Sequence, residues 1–346
     1  MYTSLRIGTV LRKKYRIDKV IAQGGFGITY LATDMLLEHK LVIKEFFMKG
    51  NCNRDNDTQN VEISTGGFTT QFMTFKSKFV KEARILYNFR GSEGVVQVYD
   101  VFEENGTAYY TMDFIDGTSL EYYINECGKL NEKEALDIIR KIAAALSEVH
   151  NKKYLHLDLS PRNIMITPQK KIVLIDFGVS KHYNESSSEQ TTETPLAYSR
   201  GYAPLEQYNQ DVKVFRPATD IYSLGAVLFF MLTGKRPADA SSVYEDGCVD
   251  GIPHNISSDT KYVIEKAMQP SSKNRPQTID EFLALINGRI IRKREKEEVV
   301  VAENEKEGNS ILTNIIIGIV VIAVVYFLFA DIFVSCSDDL RRFLEL

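Results

Sequence analysis

Cysteine is scarce in this 346-residue chain: Cys52, Cys127, Cys248 and Cys336 are its four, and none has a CxxC partner. That scatter excludes a thiolate zinc site and a disulfide framework, and it assigns most of the chain to a reducing compartment. Positive charge is not in excess either. Lys and Arg number 42 against 46 Asp and Glu, a formal net charge of −4. This balance argues against a nucleic-acid binder, which would usually show a basic face. The first residues hold no continuous apolar core, so no signal peptide is expected. What is present is ordinary globular material, 44% apolar and 25% charged, enough for one large or two modest domains.

Long apolar runs are rare. From Gly308 to Ala330 there is no charged residue, and Ile315 to Ala330 is almost wholly apolar. The length suits a bilayer-spanning helix of about 20 residues. The run from Ile221 to Leu232 is too short to span and reads as a core helix. Arg292, Lys293, Arg294, Lys296 and Lys306 precede the span, and only Arg341 and Arg342 follow it. The positive-inside rule then places the bulk of the chain in the cytoplasm, single-pass at the cell membrane. The tail beyond, 331–346, is too short to fold as a sensor, so anchoring is expected. Cys336 on that side offers a disulfide link between two copies, a homodimer, against the plainer reading of an unpaired thiol.

The rest is arranged around His156-Leu157-Asp158-Leu159-Ser160-Pro161-Arg162-Asn163, answered by Asp176-Phe177-Gly178. The apolar runs Ile164–Ile166 and Ile172–Ile175 beside them read as short buried strands. Asp158, Asn163 and Asp176 then converge on loops beside one hairpin. The oxygens of Asn163 and Asp176 suit Mg²⁺, a hard cation held by few protein ligands plus phosphate oxygens. Asp158 is left to accept the proton of an attacking hydroxyl. A polar turn with a helix cap is the plainer alternative, which the order and spacing of two such loops disfavour.

These loops resemble the catalytic loop and magnesium loop of the protein kinase superfamily, and the chain from Tyr15 to Asn287 supplies the other parts in order. The resemblance implies an α+β, bilobal protein kinase fold, with a β-rich N-lobe and a helical C-lobe, plus the transmembrane helix. Gln23-Gly24-Gly25-Phe26-Gly27 is a turn where glycine lets backbone N–H groups approach phosphates. By resemblance it is the phosphate-covering loop, with Gly24 and Gly27 at the second and third glycines, Ala22 at the first, and Thr29 for a valine. Lys44, closing the strand Leu41–Lys44, would hold the α- and β-phosphates. Its partner would be Glu82, on a helix from Phe72 to Phe89 with apolar residues at spacings of three and four. Glu62 is the runner-up, and Glu45 should point the other way on its strand. The hairpin of Val95–Phe102 and Thr107–Phe114 leads to the hinge, with Met112 as gatekeeper and the backbone of Asp113 and Ile115 bonding adenine.

Residues 50–70, rich in Asn, Asp, Thr and Gly, read as an inserted loop. Asn131 to His150 is an amphipathic helix with Asn131 and Glu134 pairing at its cap. The Ser/Thr-rich stretch after Gly178 would be the activation segment, with Thr191, Thr192 and Thr194 as phosphorylation sites. It closes on Ser199-Arg200-Gly201-Tyr202-Ala203-Pro204-Leu205-Glu206, similar to the APE region. Glu206 would pair with Arg275, and Asp220 would anchor the catalytic loop. The expected organisation is an extension (1–14), a kinase domain (15–288), a charged linker (289–310), the span (311–330) and the tail.

Two departures matter for chemistry. Leu157 stands for the arginine that binds an activation-segment phosphate, and Ser160 for the lysine that neutralises the transferring phosphoryl group. Arg162, four residues after Asp158, is the expected compensating cation. The implied activity is ATP- and Mg²⁺-dependent phosphorylation of protein Ser/Thr hydroxyls, the enzyme's own included. A nucleotide-binding pseudokinase scaffold at the membrane is the alternative, and a small-molecule phosphotransferase is disfavoured by the APE-like segment.

Overall fold

The structure is a computed structural model that describes residues 3–64, 68–177, 181–182, 198–210, 214–246, 249 and 251–288. The N-terminal half is built on an antiparallel sheet of six strands: β1 (Val10–Leu11), β2 (Tyr15–Gln23), β3 (Gly27–Asp34), β4 (His39–Phe46), then β7 and β8 below. Along β3 the side chains alternate, with Ile28, Tyr30, Ala32 and Asp34 inward, as a half-buried strand requires.

Between β4 and the first helix the inserted-loop reading needs correction. Residues 50–64 carry their own hairpin, β5 (Cys52–Arg54) and β6 (Val61–Ile63), paired antiparallel. Its turn is closed by Asp55, whose Oδ1 accepts the N–H of Thr58 at 2.7 Å and of Asp57 at 3.1 Å. Helix α1 (Thr69–Tyr87) follows and lays Phe72 and Phe79 against Phe46, with centroids 5.1 and 5.8 Å apart.

Strands β7 (Val98–Glu104) and β8 (Thr107–Asp113) complete the sheet in the order β1-β2-β3-β4-β8-β7. Strand β7 starts three residues later than Val95. The Val96 N–H instead donates to Leu174 O (3.1 Å) and Leu174 N–H to Gly94 O (2.8 Å), a bridge to the other lobe.

The helical lobe begins with β9 (Thr118–Ser119), α2 (Leu120–Cys127) and α3 (Glu132–Asn151). Asn131 caps α3, its Oδ1 accepting the Glu134 N–H at 2.9 Å. After β10 (Tyr154–Leu155) come β11 (Ile164–Ile166) and β12 (Ile172–Leu174), the expected hairpin, then β13 (Lys181–His182) and α4 (Leu205–Tyr208). Helix α5 (Pro217–Thr233) is buried nearly all round, as a uniformly apolar helix must be; it contains the core run 221–232. Pro217 opens it and Gly234, at φ 70°, closes it, the usual asymmetry of helix ends. Helices α6 (Ala240–Asp246), α7 (Ser258–Ala267) and α8 (Ile279–Ile286) finish the lobe.

This is the two-lobed α+β arrangement, and the loops joining β10 to β11 and following β12 lie beside one small sheet. Among the described residues no helix is long and apolar enough to cross a membrane. The expected linker, span and tail (289–346), Gly178, Thr191, Thr192, Thr194, Cys248 and Cys336 lie outside the described residues.

Candidate active site

Strand β4 delivers Lys44 on the face turned towards α1. Its Nζ donates to Glu82 Oε1 at 3.0 Å and to Asp176 Oδ1 at 3.3 Å. Tyr110, from the paired position on β8, donates its OH to the same Glu82 oxygen at 2.9 Å. Burial works against the ammonium, yet the charges of Glu82 and Asp176 hold the Lys44 pKa well above its ordinary value, so it stays charged. Burial pushes the Glu82 carboxyl up, against the pull of Lys44. Glu62, the other candidate for this pairing, lies exposed on β6.

The second cluster is held by α5. Asp220 is fully buried and accepts three hydrogen bonds: from the N–H of His156 (2.9 Å) and Leu157 (2.8 Å), and a contact with His150 Nε2 at 2.8 Å. Burial alone would raise the Asp220 carboxyl, but His150, His156 and the Leu157 N–H hold it below its ordinary range. Gln207 of α4 donates to Leu157 O at 2.6 Å. Leu157 itself is buried with φ 62°, a left-handed conformation costing a leucine about 1–2 kcal/mol. The anchors on both sides of its peptide hold that turn, from which the half-buried Asp158 follows.

Asp158 Oδ2 and its backbone O each accept from Asn163 Nδ2 at 2.9 Å, and Oδ1 accepts from Ser199 Oγ at 2.7 Å. Burial raises the Asp158 pKa, the Asp176 charge adds to this, and the hydrogen bonds and His156 oppose it. Asn163 ends the 3-10 turn Pro161–Asn163 just before β11. Its amide nitrogen is spent on Asp158, which leaves the amide oxygen for another partner. Arg162 shares the turn but points elsewhere: its side chain is 65% exposed, with Nε 3.8 Å from Glu121 Oε1 on α2.

The glycine turn joins β2 to β3, closed by Gly24 N–H to Gly27 O at 2.8 Å. Gly25 sits in it exposed, and Ala22 lies just before it, exposed in β2 and paired with Thr29 of β3. A Cβ on Gly27 would stand 3.0 Å from Glu45 O, so the close approach of β3 and β4 there favours glycine. At the hinge the Asp113 N–H donates to Gln97 O at 3.1 Å, and Tyr99 OH bonds its carboxylate. The Asp113 N–H is therefore already taken. Ile115 follows, half-buried.

Three residues here were not picked out as contacts from the sequence. Ser199 and Gln207 reach the catalytic loop from about 40 to 50 residues away, and no local spacing announces that. Tyr110 had a signal: its place opposite Lys44 in neighbouring antiparallel strands.

Family comparison agrees with this geometry. The protein kinase domain family matches residues 15–295. A probable serine/threonine-protein kinase of Clostridium acetobutylicum is 31% identical over 80% of this chain and 40% of its own length. Serine/threonine-protein kinase F of Synechocystis sp. is 28% identical over 83% and 57%, and PrkC of Bacillus subtilis 31% over 68% and 33%. The chain thus spans from a third to just over half of these curated relatives. The solved structure titled PpkA-294 apo form superposes with a TM-score of 0.69 at 31% identity, covering 82% of this chain and 100% of that one. The chain belongs to the protein kinase family. Its domain is of the ATP-dependent serine/threonine phosphotransferase class, similar to the bacterial kinases just named.

Proposed function

We propose that the protein is a membrane-anchored kinase that transfers the γ-phosphoryl group of ATP to Ser or Thr hydroxyls of proteins, its own activation segment included. The carrying observation is the convergence of Lys44, Glu82 and Asp176 on one side and Asp158, Asn163 and Ser199 on the other. Such a set can orient a triphosphate and an acceptor hydroxyl for in-line displacement. A scaffold that only bound nucleotide would not need the second group.

Lys44, oriented by Glu82 and Tyr110, takes the α- and β-phosphates in this reading. The glycine-turn N–H groups cover them, with the Asp113 carbonyl and Ile115 backbone on adenine. Asp158 orients the acceptor hydroxyl and takes its proton. Oδ1 already accepts from a serine hydroxyl, so its geometry suits an alcohol. Asp176 Oδ1 and the Asn163 amide oxygen are hard donors fit for Mg²⁺. An ion held by these two groups would take its remaining ligands from water and phosphate oxygens. Mg²⁺ would neutralise charge on the phosphates. Arg162 adds a cation at the transferring group once it leaves Glu121. An exposed pair at that separation is worth at most about 1 kcal/mol, which a triphosphate outcompetes.

Anchoring rests on the apolar run 311–330 and its flanking arginines and lysines. The test is metal-dependent incorporation of γ-labelled phosphate by the full chain, with fractionation and protease protection of cells. Label on Ser or Thr in a membrane-bound, cytoplasm-facing protein supports the reading. Nucleotide binding without transfer, or a protein wholly in the soluble fraction, contradicts the corresponding half.

A further inference from the structure

Outside the site, the charged pair Glu45 and Arg54 is sealed from solvent, at 0% and 1% side-chain exposure. Arg54 Nη2 donates to Glu45 Oε1 at 2.7 Å, and the carboxylate also accepts from Tyr30 OH (2.6 Å) and Tyr109 OH (2.7 Å). Burial and the Glu45 charge push both phenols up, so they remain donors. The rest of the guanidinium is spent on main chain, Nε to Thr3 O at 3.1 Å and Nη1 to Gln59 O at 2.8 Å. A buried pair like this contributes little net stability, because desolvating two charges offsets their attraction. What three donors on one carboxylate do is fix its position.

That position bears on the nucleotide. Glu45 adjoins Lys44, and its carbonyl is the group that crowds Gly27. Past the end of β4 the Phe47 N–H donates to Phe26 O at 3.3 Å and the Lys49 N–H to Gly25 O at 2.9 Å. The β3–β4 ladder therefore continues beneath the glycine turn to its tip. Three residues after Lys49 the hairpin that supplies Arg54 begins. The hairpin is itself braced against the β7–β8 turn by Val61 N–H to Asn105 O at 2.8 Å.

We infer that Arg54 is a positioning residue for the nucleoside triphosphate: by locking Glu45 from the far face of β4, it sets where residues 46–49 hold the glycine turn over the phosphates. The inference rests on the kinase reading above and gives the 50–64 insertion a part in that site.

The test uses the full chain as wild type, Arg54→Lys, and the paired Glu45→Gln, Arg54→Met variant. Ile264→Val in buried α7 serves as a folding control. Kinetics, Tm and amide exchange are measured on each. A lysine ammonium cannot serve Glu45, Thr3 and Gln59 together. The paired variant should raise the KM for ATP by roughly tenfold or more, since small misplacements are costly at such sites. Exchange at the Phe47 and Lys49 amides should quicken, with the KM for protein substrate unchanged. Arg54→Lys should do the same more weakly, and Ile264→Val should lower Tm without moving the KM for ATP. A folded paired variant with wild-type ATP KM and wild-type exchange overturns the inference. If neither Arg54 variant folds, Lys49→Pro decides: it deletes the N–H donated to Gly25 and must itself raise that KM, and no change overturns the proposal. A wild type that transfers no phosphate refutes the kinase reading instead. The calorimetric Kd for Mg-ATP then replaces KM, with the same two outcomes.

Discussion

Lys44 and Glu45 are neighbours on β4, stand on opposite faces, and each meets a partner of opposite charge beside a tyrosine of β8. On the inner face Lys44 is 19% exposed and reaches Glu82 and Asp176. Asp176 is 45% exposed. On the outer face Glu45 and Arg54 are buried, and the donors to Glu45 come from β3, β5 and β8. The inner pair bridges a strand and a helix and stays partly open to solvent through Lys44 and Asp176. The outer pair bridges strands and is closed. One dipeptide thus carries a partly exposed cation on one face and a sealed carboxylate on the other.

Substitutions should separate the two faces. Lys44→Met is expected to lower kcat/KM by up to about 10³-fold, the scale of losing a preorganised electrostatic group, at a stability cost below about 2 kcal/mol. Glu82 tolerates the loss because burial already raises its pKa and Tyr110 still donates to it. Activity assays paired with urea titration check both halves. Arg54→Met should reverse the pattern. An uncompensated Glu45 costs about 3–5 kcal/mol, visible as a large drop in denaturation midpoint. Equal stability losses in the two variants would dissolve the contrast.

Arg162→Ala is expected to cost about 10²-fold in kcat, as one transition-state donor does, with Tm unchanged because its pair with Glu121 is exposed. Full turnover in that variant would remove its role. The smallest effect concerns Asp34, at the far end of β3. Burial would raise its carboxyl, but the N–H groups of Leu36 and Leu37 and the Lys14 ammonium hold it below the ordinary 3.8. Its contribution to stability is complete above pH 3.8 and lost as pH falls through the lower folded value. Acid unfolding curves of Asp34→Asn should be flatter there than those of wild type.

The inner face was legible in the sequence and the outer face was not. Asp158, Asn163 and Asp176 stand on two loops whose order and spacing bring them together, and the resemblance to the kinase family supplied the pairing of Lys44 with Glu82. Glu45 could be assigned to the opposite face by alternation alone. Its partner could not be found, because Arg54 sits in a three-residue strand, too short for a period-2 signal, inside a stretch whose Asn, Asp and Thr read as turn. The same limit hid Ser199, which reaches Asp158 across 41 residues. Arg162 shows the converse: its place in the chain is readable, but its rotamer, turned to Glu121, is set by a helix the spacing does not mention.

The most direct test supplies the full chain with γ-labelled ATP and Mg²⁺, beside Lys44→Met and Asp158→Asn, and identifies the labelled amino acid. The account predicts phosphoserine or phosphothreonine with wild type, and a loss of about 10²–10⁴-fold for Asp158→Asn with Mg-ATP affinity retained. Equal labelling by Asp158→Asn and wild type, or none by any protein that still binds Mg-ATP, would contradict it.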